Sequence, residues 1–280
     1  MQKLFNKILV PVDFSTRSKR AVEKAMMLAE EYQCSVTLLH VVKPNTWRRQ
    51  LNEKSFSIIH PDSRKETEFR LWKVAAAACH NTRLSPNNVQ VVVQAGEWGD
   101  CMVNYISKHQ VDLVMMGQDN TLPLLRAEKI NADAIASSTH IPVISIPSGK
   151  MIARPKTIII PVTDFLPVRK IMYGIYMATA SNATLQLLQV KNEQPGDKSG
   201  HYLYKAYRLI QDNCSVHADI QAAIGENPAA AIREYLQQKN AGLVIVNPGT
   251  QTKMPGFFSR LLGRVMQMHA KAPVMTISPL

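Results

Sequence analysis

Two hundred and eighty residues exceed one minimal domain and suit two of about 100 to 200 residues each. With 46% hydrophobic and 19% charged residues the chain can bury substantial cores, which excludes disorder, collagen and coiled coil as overall descriptions. The net charge of +12 is spread over both halves, 19 basic against 14 acidic residues in 1–150 and 14 against 7 in 151–280, so no single tail supplies it. Such charge favours encounter with anionic ligands without dictating a fold.

The chain opens without a long apolar leader, and no uncharged apolar stretch approaches the ~20 residues of a membrane-spanning helix. Cys34, Cys79, Cys101 and Cys214 form no C-x-x-C pair, which argues against a disulfide framework or a cysteine-rich zinc site. The expectation is a cytoplasmic protein with reduced, buried thiols and no membrane partner.

In chain order, apolar runs predict strands at about 7–13, 35–42, 89–95, 112–117 and 142–146 of the first half, with helices between them. A cap at Ser15 or Ser18 starts a helix running from Arg17 to Gln33, whose inner face carries Ala21, Ala25, Leu28, Ala29 and Tyr32. A second helix from Asp62 to Thr82 is expected to turn Phe69, Trp72, Ala76 and Cys79 inward. Pro142, and Pro273 in the second half, stand at strand starts, where a missing N–H costs least.

The pattern then repeats. Lys7–Asp13 is answered by Thr157–Thr163, Ser35–Val41 by Thr184–Val190 and Gly96-Glu97 by Gly225-Glu226. Asp112–Met116 is answered by Gly242–Val246, and Ile141–Ile146 by Ala272–Ile277. Matches in the same order predict a tandem duplication with its seam near Ser148–Lys156, giving domains 1–150 and 151–280. The fold class is α/β, two tandem doubly wound sheets of five parallel strands, with ligands expected at the carboxyl ends of the strands.

Motif chemistry is sparse. No G-x-x-x-x-G-K-[ST], G-x-G-x-x-G or G-x-S-x-G occurs, and the eight histidines show no H-E-x-x-H. His40, at the end of the second strand, reads first as a partly buried histidine bonded to backbone and second as a catalytic group. Asp13, ending the first strand, either accepts hydrogen bonds from a ribose or adenine or caps the following turn. Thr163 holds that register in the second half, with Asp164 one place late, so the two candidate sites differ. Arg17, Lys19 and Arg20, with Arg169 and Lys170 in the second half, crowd helix starts, where cations oppose the helix dipole; they read as a solvated basic face or as holders of an anion. Trp47-Arg48-Arg49 is a single aromatic–basic triplet, too little for a nucleic-acid interface.

The tandem plan, opening with Ile8-Leu-Val-Pro-Val-Asp-Phe-Ser15 and closing each half with a Pro-Val strand, resembles the universal stress protein family in its two-domain form. That resemblance implies an adenine nucleotide alpha hydrolase-like, Rossmann-like fold and a stress-response role exercised through binding. It also implies an intramolecular pseudo-dimer through the last strands, a homodimer as an option, and protein partners. Nucleotide binders of the family carry Gly-x-x-Gly, nine residues, then Gly-Ser/Thr, glycines that let backbone N–H groups approach phosphates. Here Gly117 matches the first glycine, the second falls on Asn120, and the closing pair falls on Ile130-Asn131 or Lys129-Ile130. In the second half Gly249, Gly256 and Gly263 miss the pattern, although Lys253, Arg260 and Arg264 offer charge near them. The resemblance assigns Pro11, Val12, Asp13, Val41, Gly117 and Asn131 to a nucleotide site. The expected function is a non-catalytic stress-response or signalling module. The alternative is a sensor of ATP or AMP, or a slow ATPase, using the first-domain crevice.

Overall fold

The computed structural model describes residues 3–42, 61–118, 132–147, 154–163, 165–190, 199–223, 234–235, 242–248 and 272–279. They divide into two units, one running to Gly117 and the other beginning at Gln118.

The first unit builds its sheet from β1 (Lys7–Pro11), β2 (Ser35–Val42), β3 (Val89–Ala95) and β4 (Leu113–Gly117), in the order β3-β2-β1-β4 and parallel at each pairing. Ile8, Leu9 and Val10 of β1 and Leu113 and Val114 of β4 are buried, as strands covered on both faces require. β3 lies at the edge and leaves Gln90 exposed. The helices are α1 (Thr16–Tyr32), α2 (Pro61–Cys79) and α3 (Trp98–His109).

The expected inner face of α1 is present: Ala21, Ala25, Ala29 and Tyr32 are buried with Val22 and Met26, while Leu28 is half-buried. Ser15 is the cap, its hydroxyl accepting the Ser18 N–H at 3.2 Å. The face expected for α2 is overturned. Phe69 and Trp72 are 59% and 44% exposed and Ala76 is exposed, whereas Leu71, Ala75 and Ala78 form the core side. Four consecutive alanines, Ala75–Ala78, fit any helical phase, so the bulk of Phe69 and Trp72 does not decide it; Leu71 sets the phase, with Ala75 and Ala78 buried behind it and Ala76 and Ala77 exposed. Cys79 is half-buried, its Sγ 3.9 Å from Met26 Sδ.

In the second unit α4 (Ala132–Thr139), α5 (Val168–Ser181) and α6 (Ser199–Asn213) accompany six strands. These are β5 (Val143–Ile146), β6 (Thr157–Val162), β7 (Thr184–Val190), β8 (Ala218–Ala223), β9 (Leu243–Val246) and β10 (Val274–Thr276), in the order β5-β10-β9-β6-β7-β8. The internal repeat is visible in the register. Ile8 pairs with Val36 on one side and Leu113 on the other, and Ile158 pairs with Leu185 and Leu243 in the same way. β5 runs antiparallel to β10, with Met275 opposite Ile144; these are the last strands of the two sequence halves, and the parallel expectation applied within each half. That pairing draws β5, a first-half strand by sequence, into the second unit.

Helices return to strands through left-handed residues that are not glycine. Gln33, Gln110 and Asn182 cap α1, α3 and α5 with φ of 53°, 52° and 52°, and His140 follows α4 with φ of 57°. Each cap N–H still reaches a carbonyl of the last turn, such as Gln33 N–H to Ala29 and Asn182 N–H to Ala178.

Candidate functional site

The carboxyl ends of β1, β2 and β4 gather five of the six predicted residues in the first unit: Pro11, Val12, Asp13, Val41 and Gly117. Asn131, with Asn120 and the glycines and cations from 249 to 264, lies outside the described residues.

Pro11 and Val12 are buried, and the Val12 N–H extends the ladder to Leu39 O at 2.8 Å. The Val12 carbonyl meets His40 Nδ1 at 2.6 Å. A carbonyl only accepts, so Nδ1 carries the hydrogen and the tautomer of neutral His40 is fixed by the backbone. This is the backbone-bonded histidine that the sequence favoured. Val41, half-buried, pairs with Gln94.

Asp13 is exposed. Its Oδ1 accepts the Ser15 N–H at 3.0 Å and the Ser15 hydroxyl at 2.5 Å, a turn that leads directly into α1. Burial of its inner part would raise its pKa. Hydrogen bonds from Ser15 and Ser18 and the charge of Arg17 outweigh that effect and hold the carboxyl below its ordinary value. Asp13 is therefore an exposed, firmly ionised acceptor with one oxygen committed to the turn.

Gly117 has a packing reason to be glycine. A Cβ there would stand 2.6 Å from the carbonyl oxygen of Arg17 and 2.7 Å from its carbonyl carbon, so the end of β4 touches the first turn of α1. Contact between strand and helix explains this glycine without a phosphate.

Phe14 was not foreseen. It follows Asp13 with φ of 62°, its ring 4.8 Å from the His40 ring and 4.2 Å from the Arg70 guanidinium carbon. A left-handed aromatic residue is strained, and such strain gathers where surroundings dictate a side-chain position. The only hint in the sequence was an aromatic placed in an Asp-x-Ser turn.

The matching ends of β6 and β9 are built differently. Thr163, buried, stands where Asp13 is exposed, and Asn247, also buried, takes the register of Gly117 and donates from Nδ2 to Ile277 O at 2.9 Å. Lys170 lies twelve residues before the cap Asn182, as Ala21 does before Gln33. It is 3% exposed, and its Nζ donates to Pro161 O at 2.8 Å with the Phe165 ring 5.9 Å away. Arg169 donates to Ser278 O at 2.7 Å and to His140 O at 3.1 Å. The solvated basic face expected at Arg169 and Lys170 is thus corrected: both tie α5 to backbone carbonyls, Arg169 partly and Lys170 wholly out of solvent. Lys19 is exposed, and Arg17 and Arg20 are half-exposed.

Among the described residues no group of His, Cys, Asp or Glu is arranged to hold a metal, and no helix is long and apolar enough to cross a membrane.

The universal stress protein family model matches residues 4–147. Universal stress protein A of Yersinia pestis is 28% identical over 151 residues, 51% of this chain and 92% of that protein. Its counterpart from Escherichia coli K12 is 26% identical over 146 residues, 51% of this chain and 94% of that protein. A crystal structure of a universal stress protein from Archaeoglobus fulgidus shares the fold, with a TM-score of 0.66 at 16% identity over 98% of both chains. The match to the family model, the repeated strand register and the shared fold agree: the chain belongs to the universal stress protein family.

Proposed function

We propose that the protein is a non-catalytic stress-response module whose first-half crevice senses an adenine nucleotide. The observation that carries this reading is the contrast at one register: Asp13 is exposed and ionised, while Thr163 is buried. An exposed carboxylate at a strand end is an acceptor suited to ribose hydroxyls or an adenine amino group, both donors. In the second half the buried Lys170 and Asn247 occupy the registers of Ala21 and Gly117, so the two sets of strand ends are built differently. The hydroxyl of Ser15 that donates to Asp13 also caps α1, a structural task that supports binding rather than turnover here.

On this reading the repeats are 1–150 and 151–280, and the antiparallel pairing of β5 with β10 supports a pseudo-dimer joined through last strands. Calorimetry of the nucleotide-free full chain with ATP, ADP and AMP, with and without magnesium, tests the sensor. One saturable site per chain, lost in Asp13→Ala, is the expected result. Silence at millimolar nucleotide would sink the sensor and leave a module acting through protein contacts alone.

A further inference from the structure

Helix α2 is apolar on two faces. Leu71, Ala75 and Ala78 turn to the core, where the helix packs on α1, β2 and β3, while Phe69, Trp72 and Ala76 form a second, exposed stripe on the opposite side at helical spacing. Among the described residues of the first unit, Phe69 and Trp72 are the large hydrophobic side chains left in solvent.

The outer stripe has a direction. Its bulk comes first, at Phe69 and Trp72, and the exposed residues that follow, Ala76 and Ala77, carry only methyl groups, so an aromatic ridge gives way to a shallow hollow. Phe69 and Ala76 stand about two turns apart, ~10 Å along the axis. Charge runs the same way: Glu66 precedes the aromatics, Lys73 and His80 follow on the same flank, and Lys65 lies on the other. The His80 N–H still donates to Ala76 O at 3.2 Å, so helical geometry extends to it. Reversed end for end, such a stripe is its own complement. About a two-fold axis midway between Phe69 and Ala76, each Phe69 meets Ala76 of the other copy and each Glu66 meets His80, the reciprocal match that an isologous interface requires. A nucleic-acid strand is served less well. Lys73 Nζ already sits 4.5 Å from the centre of the Phe69 ring, and Glu66 and Glu68 interrupt the cations, so the stripe offers neither an open stacking platform nor a uniformly positive track.

We infer that the outer stripe of α2 is an interface between two copies of this chain, with the two helices antiparallel and Phe69 of each seated on Ala76 of the other. The contact is separate from the strand-end crevice and does not depend on a nucleotide. A 19-residue helix, ~28 Å long and ~10 Å wide, offers less area than the ~800 Å² per partner of a standard interface, so the dimer forms reversibly with concentration.

Sedimentation equilibrium of the full chain, from micromolar to millimolar concentration, tests this. Wild type is expected to pass from monomer to dimer across that range. Trp72→Gln and Ala76→Glu should each weaken the dimer at least about tenfold, the first by removing a central aromatic and the second by filling the hollow with a charge. His80→Glu sets two glutamates face to face and should weaken it too, and adding Glu66→Lys should restore it. Because Trp72 and Ala76 are exposed, their variants should keep the wild-type melting curve in dilute solution. A wild type that stays monomeric throughout would overturn the inference and leave the stripe to a partner of different sequence. A dimer unmoved by Trp72→Gln and Ala76→Glu would overturn it as well, placing the contact on another face. Failure of Glu66→Lys to rescue His80→Glu would overturn the antiparallel arrangement, and the self-complementarity that argues for a second copy with it.

Discussion

The ammonium of Lys170 lies 2.8 Å from the carbonyl oxygen of Pro161, at a helix position that the first unit gives to Ala21. A cation in the first turn of a helix opposes the helix dipole, and burial adds a desolvation penalty, so the contact must be well made to persist. Lys170→Ala is expected to lower stability by about 1–3 kcal/mol, because it vacates the buried stem and removes a donor from Pro161. Urea denaturation measures it; an unchanged midpoint would mean that stem and ammonium contribute nothing net.

Gly117→Ala should cost about 1–3 kcal/mol, since the new methyl meets backbone of Arg17 rather than a side chain able to swing away. Thermal melting of the variant is the check. A wild-type melting temperature would show that α1 retreats from β4 freely, and would reopen a ligand-based reason for this glycine.

Phe14→Ala and Phe14→Gly separate strain from stacking. Both lose the contacts with His40 and Arg70, but only glycine relieves φ of 62°. The glycine variant should be the more stable of the two by about 1 kcal/mol. Equal urea midpoints would indicate that the turn costs little at this position.

Burial pushes the Cys34 thiol up to about 11 from an ordinary 9.0, the nearby Lys3 opposing and Asp112 adding to the rise. Its Sγ points to Phe5 O at 3.1 Å. The folded state therefore holds this proton more tightly than the unfolded chain. The contribution to stability is complete below pH 9.0 and is lost as pH rises through about 11. Native protein at pH 8 should resist alkylation at Cys34, read by peptide mass spectrometry. The stability gap between wild type and Cys34→Ala should change between pH 9 and 11 in the direction that disfavours wild type; a gap independent of pH would contradict the shifted thiol.

The strands were legible because buried parallel strands are unbroken apolar runs, as in Ile8–Val10 and Leu243–Val246. The repeat gave the register, since the same runs recur in the same order. The Ser15 cap was legible because its chemistry is local. What stayed hidden depends on contacts across the fold. Phase along Ala75–Ala78 is set by what α2 meets, and the need for glycine at 117 by where α1 passes. Lys170 reads as a surface cation in one dimension, and only the carbonyl of Pro161 explains its burial. At the candidate site Asp13 was visible from its place at a strand end, but the contacts of Phe14 with His40 and Arg70 join residues 14, 40 and 70 and have no local signature.

The left-handed caps have a consequence for how far this protein could be hardened. Gln33, Gln110, His140 and Asn182 each occupy a backbone region that disfavours a β-carbon, and the wild-type chain tolerates all four. Glycine at Gln33 and Gln110 would remove a penalty of roughly 1 kcal/mol apiece, less at Asn182, against a smaller loss of freedom in the unfolded chain, whereas at His140 it would also give up the 3.2 Å contact of Nδ1 with Ser278 Oγ. The sites lie apart in sequence at the tails of different helices, so such gains should add. Selection has therefore left an unused reserve of heat tolerance in the connections, away from the crevice, where an engineer can draw on it without touching Asp13.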